Sequence, residues 1–177
     1  MPDFDHDTYS DDYIRAILQN TKTIAMVGAS ARTSRPSYFV LKYLLQKNFN
    51  VIPVNPREAG NDILGQKIYP SLSDIPVDVD MVDLFRNSHA ADALTDEAIA
   101  IAAKVVWMQL SVRNDEAARR AEDAGLKVVM NRCPKIEYGR LSGEIGWMGV
   151  NSRKLSSKKP VLSATRVQSF GLGRPKT

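Results

Sequence analysis

The stretch GASARTSRP, Gly28 to Pro36, follows directly on the apolar run TIAMV. An apolar run that ends in glycine, then hydroxyls and arginines, then a proline that opens a helix, makes a place for an anion. Helix N-termini present unpaired N–H groups and roughly half a positive charge. Gly28 lets the backbone approach a phosphate closely, and Arg32 and Arg35 can add charge-assisted contacts. The plain alternative is that Gly28 only turns the chain and both arginines are solvated. Two familiar phosphate loops fit poorly. G-x-G-x-x-G requires glycine where Ser30 and Thr33 stand, and the ribose-binding acid that usually ends the second strand is replaced by Asn55-Pro56. No Gly-Lys-Ser/Thr occurs, so a Walker A loop is absent too. These residue types favour a phosphorylated ligand more anionic than NAD, held by arginine. An NAD(P)-dependent oxidoreductase that grips a 2′-phosphate with Arg32 and Arg35 stays open as the alternative.

Five short apolar runs and the helices between them supply the scaffold. TIAMV, NVIPVN, VDMVDLF, KVVWMQL and LKVVM read as buried strands, starting at roughly 23, 50, 79, 105 and 126. SDDYIRAILQN reads as a leading helix, with Ser10 as N-cap and Ile14, Ile17 and Leu18 on one face. Pro36 suits the first turn of the helix through SYFVLKYLLQKN, where its missing N–H is no loss. AADALTDEAIAIAA is a third helix. NDEAARRAEDAG is a fourth, capped by Asn114 and stopped by Gly125. PKIEYGRL begins a last short one. The alternation predicts the α/β class: a Rossmann-like five-stranded parallel sheet with helices on both faces. The segment PREAGNDILGQKIYPSLSDIP has weak helix character and reads as a long loop with one turn near SLSDIP. Long loops in compact domains are more often functional than accidental.

In such a sheet, ligands sit outside the carboxyl ends of the strands, at the topological switch point. That rim gathers Gly28, Ala29, Ser30, Arg32 and Arg35 after the first strand, and Asn55 and Pro56 after the second. Arg86 follows the third strand, Gln109 and Ser111 the fourth, and Asn131, Arg132 and Cys133 the fifth. Hydrogen-bonding and cationic groups from distant parts of the chain thus converge on one edge.

Composition bounds the function classes. The 177 residues suit one domain of ordinary size. No apolar run approaches the ~18 residues that span a bilayer, and the acidic opening MPDFDHDTYSDD lacks the order of a secretory signal. The cytoplasm is the expected compartment, with no membrane partner. One cysteine excludes an internal disulfide and a cysteine-cluster metal site, and His6 and His89 alone offer little else to a metal. The net charge of +4 misleads: from Asn151 onward there are seven basic residues and no acid, which leaves 17 basic against 20 acidic side chains in the first 150. The basicity belongs to the tail, and the pattern argues against a nucleic-acid face. Three segments follow: 1–22, a leading acidic segment and helix; 23–150, the binding domain; and 151–177, a basic tail whose composition reads as disordered.

The motifs VGAS…RPSYFVLKYLLQKNFNVIPVNP, ILGQKIYPSLSDIP, VDLFR and KVVWMQL…NRCPKIEYGRL resemble the small stand-alone bacterial CoA-binding proteins. These are similar to the CoA-binding domain of the succinyl-CoA synthetase alpha subunit. The resemblance runs from about Asp12 to Leu141 and implies coenzyme A, or an acyl-CoA, as a small-molecule ligand. Carried onto this chain, it implies contacts from Gly28, Ala29, Ser30, Arg32, Arg35, Pro36, Asn55, Pro56, Phe85, Arg86 and Gln109. With a pyrophosphate and a 3′-phosphate, CoA asks for more cation and less ribose-binding acid than NAD does. The family often carries Gly where Ser111 stands and Asp where Asn131 stands. No catalytic set emerges, and a ligase of the synthetase kind needs a further domain for which 177 residues leave no room.

Three lone residues have competing readings. Cys133 precedes Pro134 on the same rim, and a cap position beside Arg132 would stabilise a thiolate. Under oxidation, or by exchange with a ligand disulfide that releases one ligand thiol, such a thiolate could form a mixed disulfide with a thiol-bearing ligand; a buried, inert cysteine is the commoner situation. His89 reads as a surface residue at a helix start, and Trp107 as core.

Overall fold

The computed structural model describes residues 5–143. The proposed tail, 151–177, and the end of the proposed binding domain lie outside the described residues. The chain runs α1 (Asp11–Asn20), β1 (Thr23–Val27), α2 (Pro36–Gln46), β2 (Asn50–Val54), β3 (Asp62–Ile63), β4 (Gln66–Lys67) and a 3-10 turn at Leu72–Asp74. It continues as β5 (Met81–Leu84), α3 (Ala90–Ala100), β6 (Val105–Met108), α4 (Asp115–Asp123), β7 (Lys127–Val129) and α5 (Pro134–Ser142).

Five parallel strands form the sheet in the order β2-β1-β5-β6-β7. The strands are near-continuous apolar runs because both faces are covered. Alternate residues feed two cores. Ile24 and Met26 of β1 and Trp107 of β6 pack with Ile14, Leu41 and Tyr138 of α1, α2 and α5. Ala25 and Val27 of β1 and Val106 and Met108 of β6 pack with Ala91 of α3 and Ala117, Ala118 and Ala121 of α4. Alanines on the inner face of α4 let it sit close to the sheet. Ile14, Ile17 and Leu18 of α1 are all buried, worth about 5 kcal/mol or more of gross apolar transfer. The leading helix is therefore part of the core.

The expected caps are present. Ser10 accepts from the Tyr13 amide, Asn114 accepts from Ala117, and Pro36 and Pro134 open α2 and α5. Trp107 is fully buried, with its Nε1 donating to the Arg132 carbonyl at 2.8 Å. The β2–β5 crossover holds the expected turn, now the 3-10 turn at Leu72–Asp74, and a two-stranded hairpin, β3–β4, that the sequence did not suggest. Its turn places Leu64 and Gly65 at positive φ, of 52° and 78°. Leucine at such a position carries no turn signal, and two-residue strands show no period. Among the described residues, no helix is long and apolar enough to cross a membrane.

Candidate functional site

The switch point lies between β1 and β5. The chain leaves β1 for α2 on one face of the sheet and leaves β5 for α3 on the other. A cavity of about 600 Å³ opens there. Of the residues expected from the sequence, Pro36, Phe85, Arg86, Gln109 and Cys133 line it. Val40, Asn87, Ala90, Leu110 and Val112 complete the lining and were not anticipated, because they read as ordinary helix or loop positions. The walls are mainly apolar, with Gln109 and Cys133 as buried polar members.

The first loop stands beside this cavity, braced on both sides. The Gly28 amide donates to the Val54 carbonyl at 2.9 Å, and the Phe85 amide donates to the Val27 carbonyl at 2.8 Å. Gly28 has φ 86°, and a Cβ on it would lie 2.4 Å from the Phe85 carbonyl oxygen and 2.9 Å from Cδ of Arg86. Glycine is thus required by the close approach of the β5 loop, a reason internal to the fold. Ala29 is fully buried. Asn55 donates from Nδ2 to the Ala29 carbonyl at 2.8 Å and accepts from the Arg57 amide at 3.0 Å, so its side chain holds the two loops together. Pro56 is exposed beside it.

Glu58 was not anticipated. Its carboxylate accepts from Ser30 Oγ at 3.2 Å and from the Ala31 amide at 3.0 Å, and Ser30 Oγ in turn accepts from the Arg32 amide at 3.3 Å. An acid in the loop after the second strand thus takes up one N–H and one hydroxyl that the sequence suggested for phosphate. Arg32, Arg35 and Arg86 are exposed, and none makes a side-chain hydrogen bond or ion pair among the described residues. Arg35 is the N-cap of α2, with no side chain capping that helix end.

The far side of the rim differs from expectation. The guanidinium of Arg132 donates to the carbonyls of Asn131 at 2.9 Å and Asp7 at 3.2 Å, and lies over the Tyr9 ring. Arg113 pairs with Asp115 and Asp7. The acidic leading segment has engaged both arginines. Cys133 does cap α5, but it is only 6% exposed, and burial pushes its thiol up, with Asp83 acting in the same direction. Of the two readings open for Cys133, burial favours the inert one, because desolvation opposes the thiolate. Ser111 sits at φ 66°, the conformation that favours the glycine common in the family. Asn131 Oδ1 accepts from its amide at 2.8 Å, an acceptor role that aspartate would serve equally. His89 is exposed at the start of α3.

Comparison with known proteins adds to this geometry. Residues 22–139 match a family model described as CoA binding domain. YneT of Bacillus subtilis (strain 168) is 35% identical over 125 residues, covering 71% of this chain and 91% of that protein. The ADP-forming acetate–CoA ligase II of Archaeoglobus fulgidus is 40% identical over 62 residues, which are 34% of this chain and 9% of the ligase. A solved structure of a hypothetical protein from Pyrococcus horikoshii OT3 is 44% identical with a TM-score of 0.72, covering 76% of this chain and 94% of that one. A Thermus thermophilus structure is 37% identical with the same TM-score, covering 75% and 99%.

Proposed function

The chain belongs to the CoA-binding domain family, and from that membership we propose that it is a cytoplasmic protein that binds coenzyme A, or an acyl-CoA, at the carboxyl edge of its sheet without transforming it. The observation that carries this reading is the adjacency of a mainly apolar cavity to a rim of uncommitted arginines. CoA divides in the same way. Its pantetheine arm is slender, with amides, a dimethyl group and a terminal thiol. Its other end carries a pyrophosphate and a 3′-phosphate. The arm suits the walls formed by Pro36, Val40, Phe85 and Val112, and the phosphates suit Arg32, Arg35 and Arg86. Binding without chemistry is favoured by the burial of Cys133 in the cavity lining, which pushes its thiol up, away from the thiolate.

The oxidoreductase alternative gains little from the site. The Asn55 amide is spent on Ala29 and Arg57, and Glu58 is spent on the first loop. A thermal-shift panel of CoA, acetyl-CoA, NAD and NADPH separates the two. At a hundredfold excess over Kd, a ligand stabilises by about 2.7 kcal/mol. CoA is expected to raise the melting temperature while NAD and NADPH leave it unchanged. Equal shifts with all four would contradict the reading.

A further inference from the structure

Below the cavity lies a carboxyl group that phosphate recognition leaves unused. Asp83 is fully buried in β5, paired with Met26 of β1 on one side and Trp107 of β6 on the other. Its only hydrogen-bond partner among the described residues is Gln109, whose Nε2 lies 2.9 and 3.2 Å from the two carboxyl oxygens. No ion pair reaches it among the described residues. Burial pushes this carboxyl up to about 8, with the Gln109 amide pulling the other way. An apolar side chain, as at every other position of β5, would avoid the cost of sealing a polar group. A group retained against that cost, one residue removed from a cavity, points to use at the cavity.

Gln109 is the link. It directly follows β6, is 5% exposed and lines the cavity. Its Nε2 is spent on Asp83. Its Oε1 has no donor among the described residues, and no sealed side-chain polar atom lacks a partner there. The oxygen therefore opens on the cavity, an acceptor set in mainly apolar walls. We infer that Asp83 is a positioning residue, which holds the Gln109 amide with its oxygen turned into the cavity to accept an N–H from the ligand's amide-bearing arm. This rests on the CoA reading, since the pantetheine arm supplies two secondary amides. An unpaired acceptor in such a wall discriminates strongly against a ligand that brings no donor to it.

The test compares CoA with adenosine 3′,5′-bisphosphate, which keeps the nucleotide phosphates and lacks the arm, by calorimetric titration of the full chain. Gln109→Leu and Asp83→Leu are each expected to weaken CoA about tenfold, the loss of one hydrogen bond in an apolar wall, and to leave the bisphosphate unaffected. Asp83→Asn is expected to keep CoA affinity, because its Oδ1 accepts the same Nε2 proton. A purely structural role for Asp83 would instead weaken both ligands in parallel. Should Asp83→Leu not fold, Gln109→Leu decides. Unchanged CoA affinity in Gln109→Leu overturns the inference while leaving the CoA reading intact, as does a parallel loss of both ligands, or equal loss in Asp83→Asn and Asp83→Leu. Failure of the unaltered chain to bind CoA overturns the CoA reading, and this inference with it.

Discussion

Replacing Gly28 with alanine is expected to lower the melting temperature by about 10 °C, a loss of roughly 3 kcal/mol. Two effects add. Residue 28 has φ 86°, where an L side chain costs about 1–2 kcal/mol. The new Cβ would also fall 2.4 Å from the Phe85 carbonyl oxygen, a backbone atom that has no rotamer to change. Phe85 is held by the hydrogen bond that its N–H donates to the Val27 carbonyl, so the β5 loop yields only by breaking its link to β1. Gly60→Ala is the matched control. Gly60 has φ 87° with nothing within 4 Å of its added Cβ, so that variant carries the conformational cost alone. Thermal melts of the two variants beside the unaltered protein check the difference. Equal losses at the two positions would show that the Phe85 carbonyl is not the constraint.

Arg35→Glu is expected to weaken CoA more than tenfold with the melting temperature unchanged. A tenfold loss needs about 1.4 kcal/mol. Removing one charge-assisted contact and placing a like charge beside two phosphate groups exceeds that. Stability is expected to hold because Arg35 is exposed and its side chain neither caps α2 nor pairs with a described residue. Titration with CoA and with dephospho-CoA, which lacks the 3′-phosphate, identifies what Arg35 reads. If Arg35 contacts the 3′-phosphate, the variant discriminates less between the two ligands than the unaltered protein does. Unchanged CoA affinity with a native circular dichroism spectrum would place Arg35 outside the site.

The five-stranded sheet was legible because its strands are covered on both faces and so appear as apolar runs of the right length between capped helices. The rim was legible for a geometric reason: parallel strands bring the residues after each strand to one edge, whatever their separation in sequence. What each rim residue does there was not. Asn55 and Gly28 are consumed by the packing of one loop against another, and no local pattern encodes a partner tens of residues away. Glu58 reaches Ser30 and Ala31 across a crossover whose two-residue strands leave no periodic trace. Arg132 looked available, yet the leading acidic segment takes it, a contact made across 125 positions of chain. The cap position of Cys133 was correctly placed, but burial decides its chemistry. Asp83 did leave a sequence signal, as the second of the two acids in VDMVDLF and the one that interrupts the apolar run of the central strand itself. Its partner was visible too, at the end of KVVWMQL. Only the pairing of β5 with β6 puts the two together.

Mapping backbone amide shifts by heteronuclear NMR while CoA is titrated in asks at once whether CoA binds and where. Shifts are expected to concentrate in residues 29–35 and 37, 85–87 and 109–112, around the carboxyl ends of β1, β5 and β6. The opposite edge, near Asn48, Ala102 and Gly125, is expected to stay still. An unchanged spectrum at millimolar CoA, or shifts clustered on that opposite edge, would contradict CoA binding at the carboxyl edge.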